Sequence, residues 1–227
     1  MEFKHNLMNQ LTFKFPFKAK YYEQDFYVSK NNFSAYKLIE SWPNWPNKWM
    51  NIYGVSGCGK THLSKILEKK IEKVKILDAQ EIENIHIDNL EKIECLIIDN
   101  YEENINNKLF YSLLNHSKQL ENFILINSKI PINKLQFKTL DLKSRVNSFL
   151  FIGIELPPDD LLNVIITKTF SDKQIKLDPK ISNFIIKNIE RSYDKVFKFL
   201  KDVDELSLST GKSININLIK KVLNKNE

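Results

Sequence analysis

The eight residues 54–61, with the sequence GVSGCGKT, leave few folds open to this chain. They match the pattern G-x-x-x-x-G-K-[ST] in full, between a short apolar run and an amphipathic run that begins at Thr61. Such a context predicts a strand, a turn and a helix, with backbone N–H groups and the helix N-terminus facing phosphate oxygens. We therefore predict a nucleotide site made by Gly54, Val55, Ser56, Gly57, Cys58, Gly59, Lys60, Thr61 and His62.

Two side chains of this site have further predicted roles. Lys60 supplies a positive charge for the β- and γ-phosphates, and the Thr61 hydroxyl is a ligand for Mg²⁺. Asp99 ends the apolar run CLIID, and an acid at that place in P-loop proteins holds Mg²⁺ directly or through water. The expected ligand is therefore a nucleoside di- or triphosphate, with Mg²⁺ held at Thr61 and Asp99.

The order of apolar runs predicts an α/β fold. Five runs are typical of strands and alternate with helical periods: WMNIYG, KVKILDA, ECLIIDN, NFILINS and FLFIGIEL. This alternation predicts a mostly parallel five-stranded sheet with helices on both faces. After PPDD, at residues 157–160, only helical periods follow. We predict an N-terminal tail over residues 1–20, a nucleotide-binding α/β domain over 21–156 and a small all-α lid over 157–227.

Bulk composition favours a cytoplasmic protein. No run of about 18 apolar residues exists, so no membrane partner is expected. Cys58 and Cys95 are the only cysteines, which does not fit a secreted disulfide framework. The net charge of +6 is spread along the chain, which favours a solvated basic surface over a dedicated nucleic-acid surface, the alternative.

The segment Gln10–Phe15, QLTFKF, alternates apolar and polar residues like a half-buried strand. Leu11, Phe13 and Phe15 form its apolar side. A short strand of this kind needs a partner, either this protein's own sheet or another protein.

Several further motifs together carry a family resemblance. They are DFYVSKNN, IESWPNWP, YGVSGCGKTHL, LFYSLLN, LDLKSRV, LPPDDLL and IERSYDKV. With these motifs the chain resembles the DnaA-related AAA+ proteins nearly end to end, and more closely the HdaA branch, whose members inactivate the DnaA initiator. The resemblance implies a P-loop AAA+ fold with a lid of three or four helices and an adenine nucleotide between the two parts.

The resemblance also implies roles for residues outside the nucleotide loop. Arg145 matches the arginine finger, which reaches the nucleotide of a neighbouring subunit. Arg191 falls where a lid sensor arginine is expected, with Asp194 or Lys195 as alternatives, and Asn127-Ser128 matches the first sensor region. Catalytic roles are thus expected for Arg145 and Asp99.

Asn100 departs from the family pattern, since AAA+ ATPases usually carry a second acid there to polarise the attacking water. An amide cannot accept that proton, and Glu102 and Glu103 lie on a different part of the loop. We therefore expect weak or absent intrinsic ATP hydrolysis.

The resemblance finally implies partners. Gln10, Leu11, Phe13 and Phe15 are similar to the segment with which bacterial proteins bind the sliding clamp of DNA polymerase III; an edge strand of the protein's own sheet is the alternative. DnaA is the expected second partner, and a homo-oligomer is possible. Since the sequence ends at Glu227, after the lid, sequence-specific DNA binding is not expected. The expected function is regulation of replication initiation, with a DnaC-like or IstB-like loader of a helicase or transposase as the alternative.

Overall fold

The computed structural model describes residues 23–84, 87–103 and 105–225. The predicted clamp-binding segment, residues 10–15, lies outside them. The described residues form two compact units, one within residues 21–156 and the other within residues 157–227.

The first unit is built on a five-stranded sheet in which every pair of neighbouring strands is parallel. The strand order is β2-β3-β4-β1-β5. The strands are β1 Trp49–Tyr53, β2 Val74–Asp78, β3 Cys95–Tyr101, β4 Phe123–Ser128 and β5 Leu150–Gly153. The predicted five-stranded α/β fold is confirmed, and the sheet is parallel throughout.

Eight α-helices accompany the strands in the described residues. Four belong to the first unit: α1 Phe33–Glu40, α2 Lys60–Glu68, α3 Asn107–Gln119 and α4 Leu140–Asn147. Four belong to the second: α5 Asp159–Ser171, α6 Pro179–Asn188, α7 Tyr193–Thr210 and α8 Ile216–Lys225. Short 3₁₀ helices cover Glu23–Asp25, Ala79–Asn84, Ile87–Lys92 and Ile132–Lys134.

The middle strands are apolar on both sides because helices cover both faces of the sheet. Leu96 and Ile98 of β3 pack in one cluster with Phe110 and Leu113 of α3. Ile97 points to the opposite face, since side chains alternate along a strand, and it is also fully buried. On that side α2 contacts β4 and α1 contacts β5.

One helix of this unit was not predicted from periodicity. The segment Leu140–Asn147 is polar apart from a few positions, and only Leu142 and Val146 are buried. Thr139 caps the helix, because its side chain accepts a hydrogen bond from the backbone N–H of Leu142. A single i, i+4 apolar pair is too weak a pattern for prediction from sequence, but it suffices once α3 provides a surface for packing.

The second unit has its own apolar core. It is formed by residues from all four helices, among them Leu162, Phe170, Ile185, Phe199 and Ile219. Each helix contributes one apolar stripe, as expected for a small bundle. Among the described residues, no helix is long and apolar enough to cross a membrane.

Candidate nucleotide-binding site

The loop that joins β1 to α2 has the backbone shape that its glycines permit. Gly57 and Gly59 have positive φ angles of 78° and 101°. A Cβ added at Gly59 would also lie 2.9 Å from a ring carbon of Phe26. Gly59 therefore needs to be glycine for two reasons, its left-handed backbone and the contact with Phe26. The turn brings the backbone N–H groups of the first turn of α2 to the end of the sheet.

The ammonium group of Lys60 lies inside this loop. Its Nζ donates hydrogen bonds to the carbonyl oxygens of Gly54 at 2.6 Å and Val55 at 3.0 Å. Lys60 is buried although it is charged, and these carbonyls compensate for the lost water. The loop thus holds a positive charge in place at the N-terminus of α2.

Cys58 lies in the same loop, with Sγ 3.6 Å from Nζ of Lys60. Burial raises the pKa of the Cys58 thiol, although the nearby lysine acts in the opposite direction. A buried neutral thiol fills space in the loop and is a poor nucleophile at neutral pH. Val55 and Ser56, in contrast, are exposed at the tip of the loop.

Thr61 and Asp99 come together from different elements. The Thr61 hydroxyl donates to Oδ2 of Asp99 at 2.7 Å. The other carboxylate oxygen of Asp99 accepts from the side chain of Asn127 at 3.1 Å and from the backbone N–H of Asn100 at 3.0 Å. Both oxygens of the buried Asp99 carboxylate are therefore hydrogen-bonded, and the group lies at the carboxyl edge of the sheet beside the loop.

Asn127 links this carboxylate to α2. Its Nδ2 also donates to Oγ of Ser64 at 2.7 Å. The side-chain oxygen of Asn127 is buried and has no donor among the described residues. A buried acceptor without a donor is costly, so this oxygen is suited to a water or ligand group beside Asp99.

Asn100 points away from Thr61. It has a positive φ of 56°, which asparagine tolerates, and the register between β3 and β4 shifts between Ile98 and Tyr101. Its Nδ2 donates to Oδ2 of Asp78, at the end of β2, at 2.7 Å. The position that an acid occupies in AAA+ ATPases thus holds an amide that is bound to a neighbouring carboxylate.

Glu102 and Glu103 are engaged elsewhere. Glu102 pairs with Lys129 at 2.8 Å, and Oε1 of Glu103 accepts from the backbone N–H of Gln136 at 3.2 Å. Both contacts are made with the chain that follows β4.

An aromatic group lies against the loop. The ring of Phe26 packs edge-to-face with His62 at a centroid distance of 5.2 Å and stacks with Tyr36 at 5.8 Å. The sequence analysis included His62 in the site but missed Phe26 and Tyr36. The available signals were the position of Phe26 in the family-like segment DFYVSKNN and the place of Tyr36 in α1.

Two predicted arginines have contrasting surroundings. Arg145, on the last turn of α4, is half-buried, and its Nε donates to Oδ1 of Asn115 at 3.0 Å. Arg191 belongs to the helical unit, where its Nη2 forms an ion pair with Asp159 at 2.6 Å. Of the two alternatives to Arg191, Asp194 lies in the first turn of α7 and Lys195 pairs with Glu190 at 3.7 Å.

The comparisons with known proteins agree with this architecture. The helical unit matches the family "Hda, lid domain" over residues 158–223. Domain III of DnaA from Thermotoga maritima has a similar structure, with a TM-score of 0.73 at 19% identity, covering 93% of this chain and 98% of that one. AMPPCP-bound DnaA from Aquifex aeolicus has a TM-score of 0.66 at 20% identity, covering 82% of this chain and 66% of that one. The fold is thus an AAA+ fold, and its first unit carries the glycine loop described above.

The two sequence relatives are both DnaA proteins. The chromosomal replication initiator DnaA of Buchnera aphidicola subsp. Cinara cedri is 26% identical over 234 residues, covering 91% of this chain and 53% of that protein. DnaA of Buchnera aphidicola subsp. Baizongia pistaciae is also 26% identical, covering 95% of this chain and 53% of that protein. The chain spans about half the length of these relatives. The chain is thus similar in sequence to DnaA proteins, has an AAA+ fold, and carries a helical unit that matches the Hda lid family.

Proposed function

We propose that this chain is a nucleotide-binding regulator of replication initiation that promotes hydrolysis of the ATP held by DnaA. Three parts of the chain would act together: the loop at residues 54–61 binds ATP or ADP, the segment Gln10–Phe15 docks on the sliding clamp, and Arg145 contacts the nucleotide of DnaA. The match of the helical unit to the Hda lid family is the observation that carries this proposal.

Nucleotide binding is supported by the geometry of the loop. Two glycines in left-handed conformations, a buried lysine charge and a helix N-terminus meet in one place. These are the groups that bind a polyphosphate, because they offer N–H donors and positive charge without bulky side chains. Phe26 and His62 beside the loop offer an aromatic surface for the adenine ring.

Magnesium fits the residues present. The Thr61 hydroxyl and the Asp99 carboxylate are hard oxygen ligands at one point of the site, and Mg²⁺ is usually held by one or two such ligands together with substrate phosphates. Bound there, it would offset phosphate charge. Asn127 orients the carboxylate that would hold it.

Hydrolysis by this chain alone would be slow. Asn100 is an amide and is bound to Asp78, while Glu102 and Glu103 contact the chain after β4. Without a base to orient the attacking water, the bound nucleotide would be hydrolysed slowly. Its main role would then be to stabilise one conformation of this protein.

Arg145 is suited to act on a second protein. Its Nε is bound to a neutral amide, and no carboxylate among the described residues forms an ion pair with it. An uncompensated guanidinium on a half-buried side chain can stabilise phosphate charge in trans, as arginine fingers do.

A reconstituted hydrolysis assay tests the proposal. DnaA loaded with radiolabelled ATP is mixed with clamp on DNA and with this protein, and DnaA-bound ADP is followed. We expect strong acceleration by the unmodified protein and at least a hundredfold loss with Arg145→Ala, since a finger of this kind contributes about 10³–10⁵ to the rate.

Lys143→Ala is the matched control, since Lys143 is an exposed cation two residues away on the same helix. It should keep full stimulation. No acceleration by the unmodified protein at any concentration would contradict the proposal. If ATP hydrolysis is instead accelerated when a helicase or a transposase replaces DnaA and the clamp, the loader function is favoured.

A further inference from the structure

Asn115 and Arg145 join two helices of the α/β unit. Asn115 lies near the C-terminus of α3, and Arg145 lies on the last turn of α4. The helices pack through a shared apolar cluster that includes Leu114 and Val146. The contact between Nε of Arg145 and Oδ1 of Asn115, at 3.0 Å, lies beside that cluster and is partly buried.

The contact leaves the charge of Arg145 intact. A guanidinium has five N–H donors, and Asn115 uses one of them. Among the described residues, no other group forms a hydrogen bond or ion pair with the Arg145 side chain. Arg191 is different, because Asp159 compensates its charge. A neutral acceptor at Nε therefore fixes the side chain without weakening its attraction for an anion.

The backbone at Arg145 is fixed as well. Its carbonyl oxygen accepts from the hydroxyl of Ser148 at 2.6 Å and from the backbone N–H of Ser148 at 3.1 Å. Ser148 therefore holds the backbone from which the side chain extends, and Asn115 holds the side chain at Nε. An arginine that is free in solution loses much rotamer entropy when it binds a phosphate, and this arrangement avoids part of that loss.

From these contacts we infer that Asn115 is a positioning residue for Arg145, which keeps the terminal guanidinium nitrogens available for a phosphate on a second protein. The inference rests on the proposed function of Arg145. Asn115 itself touches no nucleotide; it acts by selecting one arrangement of the arginine.

The test is the hydrolysis assay with DnaA and clamp, carried out with this protein at saturating concentration. Asn115→Ala should lower the maximal stimulated rate about tenfold, because the arginine side chain must then be ordered when it meets the phosphate in the transition state. The concentration that gives half-maximal stimulation and the melting temperature should change little. Ser112→Ala, an exposed position on the same helix, serves as the matched control and should behave like the unmodified protein.

Asn115→Asp separates positioning from stability. The carboxylate keeps an acceptor for Nε but compensates the arginine charge, so the melting temperature should stay the same or rise while stimulation falls. If Asn115 has a purely structural role, the stimulated rate should fall only in variants whose melting temperature also falls. That result would overturn the inference.

The double variant Asn115→Ala with Arg145→Ala completes the cycle. It should be no less active than Arg145→Ala alone. A further loss in the double variant, or full maximal rate in Asn115→Ala, would overturn the inference, provided that the unmodified protein stimulates hydrolysis. If the unmodified protein does not stimulate, the proposed function itself fails.

Discussion

The side-chain amide nitrogen of Asn100 lies 2.7 Å from Oδ2 of Asp78. Asn100 is near the end of β3, and Asp78 ends the neighbouring strand β2. Asp78 of β2 lies directly opposite Asp99 of β3 in the strand pairing. Two carboxylates, those of Asp78 and Asp99, are therefore close to Asn100. Asn100 donates to both of them, through its backbone N–H to Asp99 and through its side-chain amide to Asp78. This contact has a direct consequence for any attempt to introduce an acid at position 100.

Asn100→Asp alone should not produce an efficient ATPase. It would place two carboxylates at hydrogen-bonding distance, with a repulsion on the order of 1 kcal/mol or more, which favours keeping one of them protonated. Asn100→Asp combined with Asp78→Asn removes the repulsion. We expect the double variant to hydrolyse ATP about tenfold or more faster than the unmodified protein in single-turnover experiments.

Asp78→Asn alone is the control for that experiment and should leave turnover unchanged. Rapid hydrolysis by the unmodified protein, free of contaminating ATPases, would show instead that another group orients the water.

Lys60→Ala should weaken ADP or ATP binding by roughly tenfold to a hundredfold in calorimetric titrations. Its charge is buried in the loop, where one charge-assisted contact with phosphate contributes on the order of 1.5–3 kcal/mol. Lys65→Ala is the matched control, since Lys65 lies on the same helix and pairs with Glu68 on the surface. Equal affinity for Lys60→Ala and the unmodified protein would rule out the assigned site.

Gly59→Ala and Gly211→Ala separate backbone strain from steric contact. Both glycines have positive φ, 101° at Gly59 and 62° at Gly211, but no described atom lies within 4 Å of a Cβ added at Gly211. Gly211→Ala should therefore cost about 1 kcal/mol of unfolding free energy from backbone strain alone.

At Gly59 the contact with Phe26 adds to the strain, so Gly59→Ala should cost about 2–3 kcal/mol in denaturant titrations. It should also weaken nucleotide binding, which Gly211→Ala should not. If the two variants lose equal stability, Phe26 yields to the new methyl group and the contact imposes no constraint.

Gln10→Ala together with Leu11→Ala should abolish clamp binding measured on a clamp-coated surface. Burying two or three apolar side chains contributes about 1.5–3 kcal/mol of binding free energy each. Because ordering the segment costs part of this free energy, the unmodified protein should bind the clamp with a Kd of around micromolar. The melting temperature should not change if the segment binds another protein. A lower melting temperature with no clamp signal from the unmodified protein would show that the segment belongs to this protein's own sheet.

The fold class and the glycine loop could be predicted from local sequence patterns. The requirements of a strand, a glycine turn and a helix are local, so the contiguous residues 54–61 specify them, and the continuously apolar run CLIID indicates a strand covered on both faces. The helical periods after Pro157 are equally local. The helix Leu140–Asn147 was missed because its apolar pattern is short and its stability depends on α3.

The contacts between side chains from different elements depend on how the whole chain packs. Thr61 and Asp99 are 38 residues apart, and their contact depends on β3 and the loop ending at the same edge of the sheet. The approach of Asn100 to Asp78, and of Asn115 to Arg145, depends on strand register and on helix packing, neither of which local periodicity specifies. Hydrogen bonds are directional and short-ranged, so a residue's type indicates what it can bind, while its partner is fixed only when the whole chain has packed.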